Sequence, residues 1–286
     1  MSLPALARLS VIIAAISLGL AACQPAALPA PDAPGETPIV IGTRIVLDST
    51  VYGTTRTVTV SLPASYTDGD GRSYPVLYVV DGGPQQDFVP MAGMAALAGL
   101  TRQYREFILV GVQTENRQVE LTAPTEFDDD RQWIPENGGA ARFREHLLGE
   151  VKPWIEARYR TSGEDAIIGE SLAGLFITET FLRAPDSFDH YIAVSPSLWW
   201  RHEGLSHEAA DLLAAGEFGG RSIYLTIADE GQDMQTAMDR LVAALEAGAP
   251  DDLVWWYDPM PNEHHNTIYN PAALQALRRT FEPEEE

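Results

Sequence analysis

Short apolar runs alternate with helical stretches along most of the chain, and this alternation restricts the fold more than any other feature. The apolar runs occupy residues 75–80, 107–112, 166–168, 191–194, 223–228 and 253–257. Runs of this kind are typical of strands covered on both faces of a sheet. Residues 140–159 and 232–247 instead repeat apolar side chains at spacings of three and four, as amphipathic helices do. The alternation predicts a mostly parallel sheet with right-handed crossovers and helices on both faces.

The segment before these runs has a different period. Residues 54–62 largely alternate Thr or Ser with Val or Leu, which predicts a half-exposed antiparallel strand. Residues 68–71 read Asp-Gly-Asp-Gly and are interpreted as a hairpin connection. A calcium loop of the EF-hand type is the alternative, but its remaining ligand positions and its closing Glu are missing, which favours the hairpin.

The first 38 residues have the pattern of an export signal followed by a tether. An apolar run over residues 11–20, too short to span a bilayer, leads into Leu-Ala-Ala and Cys23. This ending resembles the lipobox of bacterial lipoproteins, which implies cleavage before Cys23 and its lipidation; an ordinary signal peptide is the alternative. We expect a signal peptide over residues 1–22, a Pro/Ala-rich tether over residues 23–38 and one folded domain over residues 39–286. By resemblance to known sorting rules, Gln24 implies the periplasmic side of the outer membrane rather than the inner membrane.

Charge excludes several classes of partner. The 286 residues include 41 acidic and 19 basic side chains, which gives a formal net charge of −22. Neutralising phosphates requires clustered Lys and Arg, so we expect no nucleic-acid partner. The chain has one cysteine, Cys23, so it forms no internal disulfide.

A candidate nucleophile follows one of the predicted buried strands. Gly-Glu-Ser-Leu-Ala-Gly over residues 169–174 joins the strand at 166–168 to a helical stretch at 172–183. A nucleophile elbow places its serine on such a sharp turn, with small residues around it. Ala173 stands where the pattern usually has Gly, and a plain helix cap is the alternative reading. Ser171 is therefore a candidate nucleophile.

An activated serine needs a base and an acid that orients the base. In hydrolases with a nucleophile elbow the chain order is Ser, acid, His. Asp229 and Glu230 follow the strand at 223–228, and His264 and His265 follow the strand at 253–257. Two neighbouring histidines cannot readily chelate one ion, and no zinc-binding spacing is present, so no metal is predicted.

Acyl transfer also needs hydrogen-bond donors for the developing oxyanion. The backbone N–H of Leu172, directly after the serine, supplies one. The strand at 75–80 is followed by Asp-Gly-Gly-Pro. A glycine amide can approach a substrate closely, whereas Pro84 has no N–H to donate. Gly83 is the preferred second donor and Gly82 the alternative.

These blocks together resemble the esterase family of α/β-hydrolases that contains esterase D, enterochelin-type siderophore esterases, feruloyl esterases and mycolyltransferases. The resemblance covers about residues 40–281 and is most specific in Ser-Pro-Ser-Leu-Trp-Trp over residues 195–200, which is closest to the siderophore-esterase branch. The other matching stretches are residues 77–82, 116–117, 120–122, 138–140, 142–143, 159–161 and 188–191, with Ser171 and His265.

The resemblance implies an α/β-hydrolase fold and assigns roles to individual residues. Ser171 is the nucleophile and His265 the base, with His264 the weaker candidate. Glu230 is the preferred acid. The other candidate residues are Asp229 and then Asp233 as the acid, Arg117 as a ligand for a carboxylate or phenolate, and Trp199 and Trp200 as an aromatic wall or as core packing.

The expected activity is hydrolysis of a small-molecule carboxylic ester, such as a siderophore or aryl ester, without a cofactor. Two alternatives remain open: acyl transfer to an alcohol by the same residues, and ligand capture without turnover by a lipoprotein of the same fold. The oligomeric state is not predicted.

Overall fold

The computed structural model of the protein describes residue 35 and residues 37–283. The chain divides into two units, Met1–Ile39 and Val40–Glu286. Of the first unit, only residues 35 and 37–39 are described, and they are exposed. The predicted signal peptide, Cys23 and most of the predicted tether lie outside the described residues. The fold described below belongs to the second unit.

An eight-stranded sheet runs through the described part of this unit in the order β1-β2-β4-β3-β5-β6-β7-β8. β1 pairs antiparallel with β2, and β2 pairs antiparallel with β4. All pairs from β4 to β8 are parallel. The prediction of a mostly parallel sheet is confirmed. The antiparallel strand predicted at residues 54–62 is β2, but its residues 56–60 are buried rather than half-exposed. The strands are β1 (Thr43–Ser49), β2 (Thr54–Ser61), β3 (Tyr74–Val80), β4 (Ile108–Val112), β5 (Thr161–Glu170), β6 (His190–Val194), β7 (Ser222–Thr226) and β8 (Val254–Tyr257).

Helices connect the parallel strands and cover both faces of the sheet. Successive residues of a strand point to opposite faces, and in β3 Leu77 and Val79 enter one apolar cluster whereas Tyr78 and Val80 enter the other. In the described part of the chain, no helix has the length and apolar composition needed to cross a membrane. The helices are α1 (Phe88–Thr101), α2 (Arg117–Glu120), α3 (Asp128–Trp133), α4 (Ala140–His146), α5 (Lys152–Arg158), α6 (Leu172–Arg183), α7 (Trp200–Ala215), α8 (Gln232–Gly248) and α9 (Tyr269–Thr280).

The hairpin interpretation of residues 68–71 is wrong. These residues join β2 to β3, and the two strands are not neighbours because β4 lies between them. The hairpin of the structure is the β1–β2 pair, which precedes this segment. A glycine-rich turn can be recognised from the local sequence, but which strands pair with each other depends on the packing of the whole sheet.

The predicted helix over residues 140–159 is interrupted by a π-helical turn, Leu147–Val151, between α4 and α5. This turn contains Glu150, whose carboxylate lies 2.6 Å from Nδ1 of buried His146 and accepts hydrogen bonds from the N–H groups of Thr50 and Val51. The π turn thereby links this helical segment to the β1–β2 turn.

Strand β8 also differs from expectation. It lies at the edge of the sheet, and its side chains are exposed or half-buried rather than covered on both faces.

The carboxyl ends of the parallel strands meet along one edge of the sheet, where open α/β folds bind ligands. Asp81 follows β3, Ser171 follows β5 and Ser195 follows β6. Glu230 lies four residues after the end of β7 (230 − 226). The topology thus gathers at one edge residues that are far apart in the sequence.

Candidate active site

Ser171 occupies a sharp turn between β5 and α6. Its backbone has φ 63° and ψ −121°, a conformation that residues other than glycine adopt rarely and at a cost of about 1–3 kcal/mol. The turn is held on both sides, because the Ser171 N–H donates to the carbonyl of Val194 at 3.0 Å and the Leu175 N–H donates to the carbonyl of Ser171 at 2.9 Å. A strained serine held by its surroundings is typical of a nucleophile elbow.

The packing around this turn explains why alanine is tolerated at position 173. A Cβ on Gly169 would lie 2.5 Å from the Cβ of Ala173, so Gly169 leaves the space that this methyl group fills. A Cβ on Gly174 would lie 2.8 Å from the carbonyl oxygen of Val194 and 3.0 Å from Cα of Pro196. Positions 169 and 174 therefore require glycine, whereas position 173 does not.

His265 and Glu230 lie against each other. Nδ1 of His265 is 2.9 Å from Oε2 of Glu230, whose side chain is 9% exposed, whereas the His265 side chain is 46% exposed. Asp229, Asp233 and His264 are all exposed. The His264 N–H donates to Oγ1 of Thr267 as the chain turns toward α9. Of the candidate acids and bases, the structure thus brings together Glu230 and His265.

The contact with Glu230 raises the pKa of His265 above its ordinary value. Partial burial and the charge of Arg117 act in the opposite direction, and the charge of Glu170 adds to the increase. A base must be neutral to accept a proton. As the pH falls, His265 with its raised pKa becomes protonated at a higher pH than a free histidine does, and it then no longer acts as a base.

Two further carboxyl groups, Glu170, whose charge acts on His265, and Asp87, whose charge acts on Glu170, were not identified from the sequence. Burial raises the pKa of Glu170 to about 7, and the charges of Asp87 and Glu230 add to this effect. Burial and the charge of Asp81 raise the pKa of Asp87 to about 6. Oε1 of Glu170 is buried and has no hydrogen-bond partner among the described residues. The sequence carries no signal for these shifts, since they arise from burial.

The hydroxyl group of Ser171 faces Ser197. The two Oγ atoms are 3.3 Å apart, and within residues 37–283 Ser197 is the side-chain hydrogen-bond partner of Ser171, rather than His265. In ligand-free structures, catalytic hydrogen bonds are often long and form only with substrate.

Both glycine amides proposed as oxyanion donors are already hydrogen-bonded. The Gly82 N–H donates to the carbonyl of Val112, and the Gly83 N–H donates to Oε1 of Gln86, each at 2.9 Å. Nε2 of Gln86 in turn donates to Oγ1 of Thr114 at 2.9 Å. The amide of Gly82 is thus held by the backbone of β4, and that of Gly83 by a side chain that is itself hydrogen-bonded.

The N–H of Leu172 is available. Leu172 is the first residue of α6, where a helix has no internal acceptor, and its N–H has no backbone acceptor in the described part of the chain.

Arg117 is held at the site by a buried carboxylate. Its Nε donates to Oδ2 of Asp81 at 2.8 Å, and Oδ1 of Asp81 accepts a hydrogen bond from Thr114. The side chain of Arg117 remains 42% exposed, and its two terminal nitrogens face no acceptor among residues 37–283. The guanidinium group can therefore bind an anion with both terminal nitrogens.

The two tryptophans at the end of the 195–200 block differ. Trp200 is buried, and its Nε1 donates to the carbonyl of Ala123 at 2.9 Å, so it packs in the core. Of the two alternatives for Trp200, an aromatic wall or core packing, the structure favours core packing. Trp199 is half-buried and packs edge-on against Trp200 with ring centroids 5.7 Å apart.

Comparison with known families decides the classification. The family model described as "Putative esterase" matches residues 49–250, a range that includes Ser171 and Glu230 and ends before His265. The chain belongs to this esterase family. The resemblance drawn from the sequence is thereby confirmed.

Curated relatives in the esterase family carry names of siderophore esterases. The chain is 32% identical over 162 residues to the ferri-bacillibactin esterase BesA of Bacillus subtilis, a match that covers 51% of this chain and 55% of BesA. It is 29% identical over 180 residues to the siderophore enterobactin esterase of Emericella nidulans, covering 53% of this chain and 56% of that protein. The matches thus span about half the length of these relatives.

Solved structures confirm the α/β-hydrolase fold. An IroE-like serine hydrolase from Shewanella oneidensis superimposes with a TM-score of 0.74 at 25% identity, covering 84% of this chain and 80% of that one. The BES protein from Bacillus cereus superimposes with a TM-score of 0.74 at 22% identity, covering 86% of this chain and 98% of that one.

The site of this esterase-family member therefore holds a strained serine, a histidine backed by a carboxylate, a free backbone N–H and an arginine open to an anion. These are the kinds of group that acyl transfer requires. Gln86, Glu170, Asp87 and Ser197 join the residues expected from the sequence. Of these four residues, only Ser197 lies in the Ser-Pro-Ser-Leu-Trp-Trp block at residues 195–200, the most specific part of the resemblance to the esterase family.

Proposed function

We propose that this protein is a serine hydrolase of carboxylic esters that works through an acyl-enzyme on Ser171. The observation that carries the proposal is the strained elbow conformation of Ser171 at the edge of the sheet where His265 and Glu230 pair. Membership of the esterase family supports it. The test is hydrolysis of p-nitrophenyl butyrate by the wild-type protein and by the variants described below.

Each residue has one role in this mechanism. Oγ of Ser171 turns from Ser197 to His265, gives its proton to Nε2 and attacks the ester carbonyl. The imidazolium then protonates the leaving alcohol. Glu230 accepts the Nδ1–H, which fixes the tautomer and stabilises the imidazolium. Water, activated by His265, attacks the acyl-enzyme and releases the acid.

The acid is tested by a pair of amide replacements at neighbouring positions. Glu230→Gln keeps the shape but loses the charge at Nδ1, so we expect a loss of at least about a hundredfold in kcat. Asp229→Asn, at an exposed position, should lose less than about fivefold. Steady-state kinetics with p-nitrophenyl butyrate measure both. A damaging Asp229→Asn with a silent Glu230→Gln would contradict the assignment.

The same variant has a predicted pH dependence. Neutral His265 is the active form, so kcat/KM falls as the pH drops through the pKa of His265. Since the contact with Glu230 is the main cause that raises this pKa, the acidic limb of Glu230→Gln should move to lower pH than in the wild type. A profile of kcat/KM from about pH 5 to pH 9 checks the shift, and an acidic limb that stays in place would contradict it.

The open guanidinium group of Arg117 supports an ester with a carboxylate or phenolate as the substrate. The names of the relatives, which are siderophore esterases, support a siderophore-type ester. Trp199, which is half-buried, is proposed as an aromatic contact for the substrate.

Arg117→Ala is expected to lower kcat/KM for p-nitrophenyl hemisuccinate by about 10- to 100-fold, because a charged hydrogen bond contributes about 1.5–3 kcal/mol. Uncharged p-nitrophenyl acetate should change less than about threefold. Both assays are run at about pH 8.5, where a change in the protonation of His265 has least effect. Equal losses for the two esters would assign Arg117 to supporting the loop through Asp81 instead of binding the anion.

We further propose that Cys23 carries a lipid that anchors the protein, with residues 1–22 removed and residues 23–38 as the tether, on the periplasmic side of the outer membrane. The Leu-Ala-Ala-Cys sequence supports this proposal. In a bacterial host, the wild-type protein should incorporate labelled palmitate and Cys23→Ser should not. Incorporation that persists in Cys23→Ser would contradict the anchor.

A further inference from the structure

The oxyanion hole of this site is short of donors. Leu172 offers an N–H without an acceptor among the described residues, but the N–H of Gly82 donates to the carbonyl of Val112 and that of Gly83 is held by Gln86. A serine hydrolase commonly needs a second donor that is in place before the reaction. The described part of the structure offers another group in contact with the nucleophile, and it belongs to a side chain.

That group is the hydroxyl of Ser197, 3.3 Å from Oγ of Ser171. The side chain is 4% exposed, and among the described residues Oγ of Ser171 is its hydrogen-bond partner. A buried hydroxyl generally finds a partner. Here the partner is the atom that reacts.

The loop that carries Ser197 is fixed from several sides. The Ser197 N–H donates to the carbonyl of Ser171 at 3.0 Å, and the Ser195 N–H donates to the carbonyl of Thr226 at 2.9 Å. Oγ of Ser195 accepts the Ala228 N–H at 3.1 Å. The absence of a Cβ on Gly174 lets Pro196 pack closely against α6. A donor on this loop keeps its position without cost at the moment of reaction.

The geometry points to Ser197 as a catalytic residue whose hydroxyl completes the oxyanion hole with the N–H of Leu172. In the tetrahedral intermediate, the oxyanion and Oγ of Ser171 are bonded to the same carbon, so the oxyanion forms next to Oγ and a hydroxyl that touches Oγ can turn to it. Once His265 has taken the proton of Ser171, the Ser197 O–H turns to the oxygen that carries the negative charge. It donates a hydrogen bond and transfers no proton. This role rests on the proposed ester hydrolysis.

Ser197→Ala should therefore lower kcat for p-nitrophenyl butyrate by about a hundredfold with little change in KM, the range known for losing one oxyanion donor. Ser197→Thr, which retains a hydroxyl, should recover part of this loss. A reduced kcat alone does not show whether Ser197 donates to the oxyanion or only positions the hydroxyl group of Ser171. The test therefore uses a second substrate.

The second substrate is the corresponding thionoester, in which sulfur replaces the carbonyl oxygen and accepts hydrogen bonds weakly. If Ser197 donates to the oxyanion, the loss caused by Ser197→Ala should shrink from about a hundredfold to less than about tenfold with the thionoester. Both losses, with the ester and with the thionoester, are measured on the same variant. Partial misfolding lowers both rates by the same factor, so it does not change their ratio. Ser195→Ala is the matched control, because it removes a buried hydroxyl that contacts the N–H of Ala228 instead of Ser171. Any loss it causes should be equal for the ester and the thionoester.

Equal losses for ester and thionoester in Ser197→Ala would overturn the proposal, as would an unchanged kcat. Either result leaves the proposed function intact if the wild-type protein hydrolyses the ester and Ser171→Ala does not. Failure of the wild-type protein to turn over any ester would instead contradict the proposed function itself.

Discussion

Ser171→Ala is expected to lower kcat for p-nitrophenyl butyrate by at least about 10⁴-fold, since removal of a catalytic serine removes the covalent route. The fold should survive. Alanine and serine both carry a Cβ, so the positive φ at this position costs about the same for either residue. The side-chain contact that is lost is the one with Ser197.

Steady-state rates and a thermal melt of the same preparation measure the two parts of this prediction. A variant with a normal melt that retains more than about a tenth of the wild-type kcat would exclude Ser171 as the nucleophile.

His265→Ala should come close to the serine variant, with a loss of about 10³- to 10⁴-fold in kcat, because no other group then takes the proton of Ser171. His264→Ala is the matched control. Its side chain is exposed, and the hydrogen bonds of this residue to Thr267 and Ile268 use its backbone, so we expect a change of less than about threefold.

The double variant Ser171→Ala with His265→Ala sharpens this comparison. Residues that act as one unit are not additive, so the double variant should be no slower than Ser171→Ala alone. Additive losses, or a damaging His264→Ala, would reassign the base.

Local sequence patterns were sufficient for the parts of the fold that depend on local forces. The apolar runs located the six parallel strands, and the elbow pattern placed the start of α6 at Leu172, where the structure has it. The sequence predicted that Glu230 and His265 lie close together, because each follows a parallel strand and the carboxyl ends of these strands meet at one edge of the sheet. Sterics at Gly169 and Gly174 explain why the elbow pattern survives with Ala173.

Features that depend on long-range packing could not be predicted. Besides β1, the partner of β2 is β4, more than forty residues further along the chain, so residues 68–71 join strands that are not neighbours. Gln86 is three residues from Gly83, but its hold on that amide depends on Thr114, which follows another strand. The raised pKa values of Glu170 and Asp87 arise from burial, which no spacing in the sequence shows.

The most direct test of the central claim is to treat the protein with a fluorophosphonate and to map the adduct by peptide mass spectrometry. An activated serine forms a stable covalent adduct with this reagent. The proposed mechanism predicts one adduct, on the peptide that contains Ser171, and none on that peptide in Ser171→Ala. An adduct on a different serine, or ester hydrolysis that continues with Ser171 unmodified, would contradict it.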